Sequence, residues 1–485
     1  MQKNKLFSTL CLFMMPLMTQ AALDDIKYLQ FRIGHPYITL GPANNIIDGS
    51  HNSIKLTNGT YLCFTDNETS YRMIGKDPTC AGSSLTPVIG RVANGYSDCG
   101  LWIDNVERDP KNPQHLYAFT HAESFCNYDI GQSYKSFALV QSYDEGQTWA
   151  LDGQIITGTQ PPIPGRITGE GDCSEAADAN YYYLYCTRNT DYKTFVARAA
   201  KDCDPVGGTW IKYNNGKWDS PGLGGAATGY SVWGTPSWWK DKDYMVLMAS
   251  PSGASGSKIA FSQDRVNFIT MQEPLLLSDN NTWNRTADAG DFVAYIVIQG
   301  MEGGRQWSNG KFQLAYLYIP PGGNFGQRYQ VFRDVTLTTD TIPNNNGERA
   351  QVGVELSRFS KVVNGITELW TTNVPAPGYT YVKSLGYTMT RKPVGATAPA
   401  TVAIEDCISN WNGATDHLIS VDGVCAKAGY KRQRTLGWIY TTPQANTTAL
   451  YRCWSPNKYK THFASTDSAC EGETAEFILG YIMTK

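Results

Sequence analysis

The stretch Ser142-Tyr143-Asp144-Glu145-Gly146-Gln147-Thr148-Trp149 limits the fold more than any other part of the chain. Its serine and aspartate side chains can bond turn backbone, Gly146 allows a positive φ, and Trp149 is placed to pack under the turn. That combination predicts a tight hairpin between two strands. Reduced copies follow. Thr190–Phe195 keeps Asp191 and a closing aromatic, and Phe261–Phe268 keeps Ser262, Asp264 and Phe268. Upstream, Asn58-Gly59 separates the alternating runs Ser53–Leu56 and Thr60–Phe64, a second strong hairpin signal. The theme recurs at intervals of roughly 45 to 65 residues, the period of a repeated small β-sheet.

The pattern S-x-D-x-G-x-T-W resembles the Asp box of sialidases and related β-propellers. The resemblance implies an all-β fold in which the box turns between the outer strands of a blade, away from the central channel. The propeller is expected over residues 22–365, with five blades by count and six also allowed.

Composition agrees with that class. The 485 residues include 46 glycines, 29 tyrosines and 13 tryptophans, and long runs of helical period are scarce. Lys plus Arg number 41 against 44 acidic residues, a net charge of -3, which argues against nucleic acid as a partner because phosphate binding needs a concentrated basic field. Lys3 and Lys5 precede the apolar run Leu6–Met18, and small residues follow at Thr19-Gln20-Ala21. This layout reads as a secretory leader over residues 1–21, too short to span a bilayer, and no other stretch is long and apolar enough to do so. The mature chain is expected to be secreted or periplasmic. Eleven of the 12 cysteines lie beyond the leader. None has C-x-x-C spacing, so disulfides are expected and a metal site is not. Eleven is odd, and Cys203 is the residue expected to stay unpaired.

A linker and closing strand are expected over 366–400, where Pro393, Gly395 and Pro399 cluster. Three echoes mark the remainder: Leu385-Gly386-Tyr387, Leu436-Gly437-Trp438 and Leu479-Gly480-Tyr481. The last two also align upstream through Cys407 with Cys453, His417 with His462, and Cys425 with Cys470, which suggests one disulfide per repeat. A small pseudo-threefold, β-trefoil-like domain over 401–485 is the reading, and the first echo fits either this domain or a closing strand of the propeller. The copy built on Leu450-Tyr451-Arg452 and His462-Phe463 resembles the "HF-T" repeats appended to secreted bacterial enzymes.

Propeller glycosidases carry carboxylates at the channel mouth, and glycoside hydrolysis needs one acid plus a second carboxylate as base or nucleophile. Acids preceding the first strand of a blade are therefore the candidates. Asp48, Asp104, Glu170 and Asp172 are assigned to catalysis and Asp291 to substrate binding, although aspartate at strand entry is also ordinary turn chemistry. Phe31-Arg32-Ile33 resembles the start of the sialidase "FRIP" motif, which implies that Arg32 binds a substrate carboxylate. Arg108-Asp109-Pro110 resembles the "RDP" signature of invertase-type propellers, while the longer Asp109–Ala118 string resembles a rigid blade loop of Asp-box proteins without glycosidase activity. His121 and Glu123, two apart on one strand, face one side together as an acid/base pair, a sugar platform or a buried pair. His51 is a partner for Asp48, and Trp233 is a sugar platform or a residue packed between blades. No cofactor is expected, and channel calcium is compatible with the carboxylates. The function expected is a secreted glycoside hydrolase acting on an extracellular glycan. The alternative is a non-catalytic lectin or adhesin. A carbohydrate ligand is common to both.

Overall fold

A computed structural model describes residues 29–41, 47–251, 256–278, 285–286, 289–339, 352–374, 376–395, 397–411, 414–421, 423–427 and 429–484. The leader assigned to residues 1–21 lies outside them. The described chain is all-β, with a single four-residue α-helix at Val424–Lys427.

Residues 52–339 form five successive antiparallel meanders. Their inner strands are Asn52–Lys55, Gly100–Arg108, Ile167–Ala177, Thr235–Trp239 and Phe292–Gly300. Each inner strand packs on the next in that order. The last returns to the first through Ser53, whose Oγ donates to Gln299 Oε1 at 2.8 Å. The fourth strand of the fifth meander comes from the start of the described chain, because Leu29–Ile33 pairs antiparallel with Tyr329–Thr339. Its alternate residues Leu29, Phe31 and Ile33 are buried in the core that the fourth and fifth meanders share.

The turn Ser142–Trp149 joins the third strand of the second meander to the fourth. Asp144 Oδ1 accepts from the Ser142 hydroxyl and from the Gln147 and Thr148 N–H groups at 2.8–3.0 Å. Gly146, at φ +84°, donates its N–H to Ser142 Oγ, and Trp149 packs edge-on against Phe64 of the first meander. Asp264 repeats the arrangement with Ser262, Val266 and Asn267. Asp109 pairs with His115 at 2.9 Å inside its own loop.

Beyond residue 352 the chain makes three similar units, each a first strand paired on both sides. Val352–Val363 pairs with Ile366–Thr372 and Thr380–Met389, Thr401–Trp411 with Ala414–Val421 and Lys431–Tyr440, and Thr447–Ser455 with Thr461–Ser465 and Thr474–Met483. The first echo thus sits in the first of these units. Each echo's glycine has the same cause. A Cβ on Gly386, Gly437 or Gly480 would come within 2.5–2.6 Å of the Met483, Met389 or Tyr440 carbonyl oxygen, respectively. Every unit therefore brings its glycine against the third strand of another unit, in a cyclic order. Leu356, Ile404 and Leu450 from the first strands join Leu385, Leu436 and Leu479 in one core.

Disulfides link Cys63–Cys80, Cys99–Cys126, Cys173–Cys186, Cys407–Cys425 and Cys453–Cys470. Cys203 is also disulfide-bonded, so the expectation that it stays a thiol is corrected. Among the described residues no cysteine is free. No helix there is long and apolar enough to cross a membrane, which does not address spanning strands.

Candidate functional site

A cleft of about 1080 Å³ opens where the inner strands begin, with walls from all five meanders. Three inner strands are interrupted there. The pairing register shifts between Ile103 and Asn105, between Gly171 and Ser174, and between Ala294 and Val297. The extra residues include Asp104, Asp172 and Tyr295, and all three line the cleft. Asp172 and Tyr295 adopt φ of +46° and +51°. A β-bulge re-aims the side chain it carries, and a non-glycine residue at positive φ persists only where its surroundings hold it.

Asp48 lines the cleft and its Oδ1 accepts from the Tyr295 hydroxyl and the Arg328 guanidinium, both at 3.0 Å. Burial, with Asp48 nearby, raises the Tyr295 phenol, which therefore stays a donor. Asp104 is held by Arg305, whose Nη1 reaches Oδ2 at 2.9 Å and whose Nη2 reaches Oδ1 at 3.2 Å. Ser174 and the Glu175 N–H complete its partners. Arg305 is only 1% exposed and also donates to the Glu175 carbonyl. Below it, burial and the neighbouring Glu107 raise the Glu175 carboxyl.

Asp172 receives the Lys135 ammonium at 2.9 and 2.8 Å. Its own N–H donates to His121 Nδ1 at 3.1 Å, and His121 Nε2 lies 3.0 Å from Glu123 Oε1. With Nδ1 accepting from the Asp172 N–H, Nε2 is the nitrogen that donates to Glu123. Both ring nitrogens are thus occupied, and the ring stacks on Trp102 at 5.5 Å. Burial works to raise the Glu123 carboxyl, but hydrogen bonds from His121 and Tyr128 and the Lys135 charge outweigh it and hold it at about 2. Glu123 is therefore a fixed carboxylate.

The decisive group is Asp66, at the end of strand Tyr61–Asp66 and 2% exposed. Burial pushes its carboxyl up to about 8, opposed by the Ser70 hydroxyl at 2.5 Å and reinforced by the Asp104 and Asp48 carboxylates. Oδ2 faces Gly49, where a Cβ would come within 2.8 Å. A side chain at position 49 would collide with that oxygen. One carboxyl that keeps its proton at neutral pH thus sits beside one that accepts from an arginine and a phenol.

Other residues expected in the site lie elsewhere. Glu170 points to a buried ion pair with Lys212 at 2.5 Å. His51 is buried, with Nε2 3.0 Å from the Pro78 carbonyl oxygen and its ring edge-on to Phe332. Burial lowers its imidazole to about 4, so it stays neutral. Arg32 lies against the first C-terminal unit, donating to the Phe31 carbonyl with its guanidinium 5.9 Å from the Tyr387 ring. Asp291 pairs with Arg434 of the second unit. Each of these four is committed to packing or pairing within the fold. Trp233 does line the cleft and is 53% exposed. Sequence reasoning missed Asp66, Lys135, Tyr295 and Arg305. Among the described residues no cluster of three or more His, Cys, Asp or Glu is arranged to hold a metal ion.

No family model and no curated protein match the sequence. Solved structures do. A thermostable family-43 glycoside hydrolase is similar at 12% identity and a TM-score of 0.38, covering 70% of this chain and 99% of its own. The catalytic domain of the Coprinopsis cinerea GH62 α-L-arabinofuranosidase is similar at 10% and 0.39, covering 64% and 98%. A family 117 glycoside hydrolase from the marine bacterium Zobellia galactanivorans is similar at 15% and 0.38, covering 65% and 92%. These structural neighbours are glycoside hydrolases. No residue of the cleft is assigned from them.

Proposed function

We propose that this protein is a secreted glycoside hydrolase on a five-bladed propeller, followed by a trefoil-like domain that holds it on its substrate. One observation carries the reading: the cleft pairs a protonated carboxyl, Asp66, with an accepting carboxylate, Asp48. Glycosidic cleavage requires an acid and a second carboxyl group as base or nucleophile, and on this reading Asp66 and Asp48 supply them. Asp66 gives its proton to the leaving oxygen. Asp48 activates water or attacks the anomeric carbon, and the separation of the two groups around the bound sugar sets which. Burial keeps the proton on Asp66, and the charge of Asp104, fixed by Arg305, reinforces it. Asp172 and Glu123 orient hydroxyl groups.

A second reading, a lectin, is favoured by the pairing of Asp104, Asp172 and Glu123 with Arg305, Lys135 and His121. Such groups bind hydroxyls well and transfer protons poorly. Turnover of a panel of glycans and aryl-glycosides by the full chain separates the two, with Asp66→Asn and Asp48→Asn run alongside. Loss in both variants with intact near-UV dichroism supports the hydrolase. Glycan binding without turnover in the unmodified protein supports the lectin.

A further inference from the structure

Two exposed aromatic side chains line the cleft from different meanders. Tyr128, 62% exposed, stands on the hairpin tip of the second, and Trp233, 53% exposed, precedes the inner strand of the fourth. Asp172 of the third lies between these meanders in the ring order. Both platforms are supported. Tyr128 donates its hydroxyl to Glu123 Oε2 at 2.8 Å, and the Cys99–Cys126 disulfide ties the hairpin arm near its tip to the start of the inner strand Gly100–Arg108. Trp233, Ser250 and Tyr295 are shared with a second cavity of about 850 Å³, so the cleft continues past Trp233. Its first part alone is at the upper end of the ~300–1,000 Å³ that a drug-sized ligand fills. A single sugar leaves most of it empty.

The charges restrict the occupant further. Lys135, Arg305 and Arg328 are each bound to a cleft carboxylate, which among the described lining residues leaves Arg91 at the rim and Lys258 in the second cavity to meet an anionic sugar, against a floor of carboxylates. We propose that the cleft takes an internal stretch of an uncharged, linear glycan chain, stacked on Tyr128 and Trp233 across the acidic floor. This rests on the glycan-cleaving or glycan-binding reading above.

Titration calorimetry of the full chain tests it, using neutral xylose, glucose and mannose oligomers of one to six units beside oligogalacturonates of equal length. Affinity is expected to rise at least tenfold from one unit to four, and Trp233→Ala to lose about tenfold on the longest neutral chains and less on short ones. Affinity independent of length, or tighter binding of the oligogalacturonates, overturns the proposal while leaving a glycan site in place. No heat with any glycan defeats the functional reading itself, and the proposal with it.

Discussion

An acid that holds its proton at neutral pH makes the native state pH-sensitive in a definite direction. The unfolded chain releases the Asp66 proton near pH 4, whereas the native state keeps it to about pH 8. Between those values only the unfolded state gains by ionising, so stability falls as pH rises through that window. Asp66→Asn removes the effect. The variant should be more stable than wild type at pH 8, on the order of a few kcal/mol, and nearly equal to it at pH 4. Urea melts at the two pH values measure this. In the same variant, turnover should drop by about 10²–10⁴, the share ordinarily carried by a positioned general acid. Arg305→Met is expected to cost about 3–5 kcal/mol by leaving the largely buried Asp104 carboxylate without its counter-charge, read from the denaturation midpoint. None of this was legible in the residue types. Asp66 ends a strand that reads as one arm of an ordinary hairpin, and its raised carboxyl comes from burial and from the charge of Asp104 in another meander.

At the scale of elements, the bulges explain which candidates reached the cleft. Glu170 and Asp172 would share a face in a regular strand. The register shift between Gly171 and Ser174 separates them, sending Asp172 to the cleft and leaving Glu170 with Lys212. Spacing in the sequence marks where a strand begins, and it does not mark where pairing slips. The Cys173–Cys186 bond fastens this strand to its neighbour within the shift. Replacing both cysteines by serine should cost about 2–4 kcal/mol in non-reducing denaturation. In the C-terminal units the Leu-Gly-aromatic echoes are legible in the sequence, and their cause is the approach of one unit's glycine to another's backbone. Gly437→Ala should therefore destabilise by about 1–3 kcal/mol, since the new methyl meets the Met389 carbonyl and Thr388. A comparison of melting curves with those of Gly423→Ala, where nothing lies within 4 Å, controls for the loss of glycine itself.

For the whole molecule, buried titratable groups act from both sides of neutrality. Burial raises Asp406 to about 7 and also raises Glu107, Glu170 and Glu175, so each, like Asp66, lowers stability as pH climbs. Burial lowers His51 and His417 to about 4, and each lowers stability as pH falls from 6.5 towards that value, where only the unfolded state takes up protons. Five raised carboxyls outweigh two lowered imidazoles, so stability falls as pH climbs from about 5 to 8. A thermal-shift series from pH 4 to 9 checks this, and a maximum above pH 8 contradicts it. Turn chemistry made the repeating β-architecture readable at Ser142–Trp149 and Asn58-Gly59. The partners that join its two parts are distant in sequence, such as Asp291 with Arg434, and no local pattern announces them.

The strand Leu29–Ile33 lies between Tyr329–Thr339, antiparallel, and Val352–Val363, parallel. It completes the fifth meander and joins the first C-terminal unit to it. Immediately beyond it, Arg333 donates to the Gly34 carbonyl across 299 positions of the chain. During synthesis at ~5–20 residues per second, this early segment waits roughly 15–60 s before its neighbours exist. Until then its edge is unpaired and its apolar side chains are uncovered, the condition in which strands pair wrongly. The same strand that locks the finished molecule is thus a point of vulnerability for the nascent one, and a holding partner during synthesis would act there.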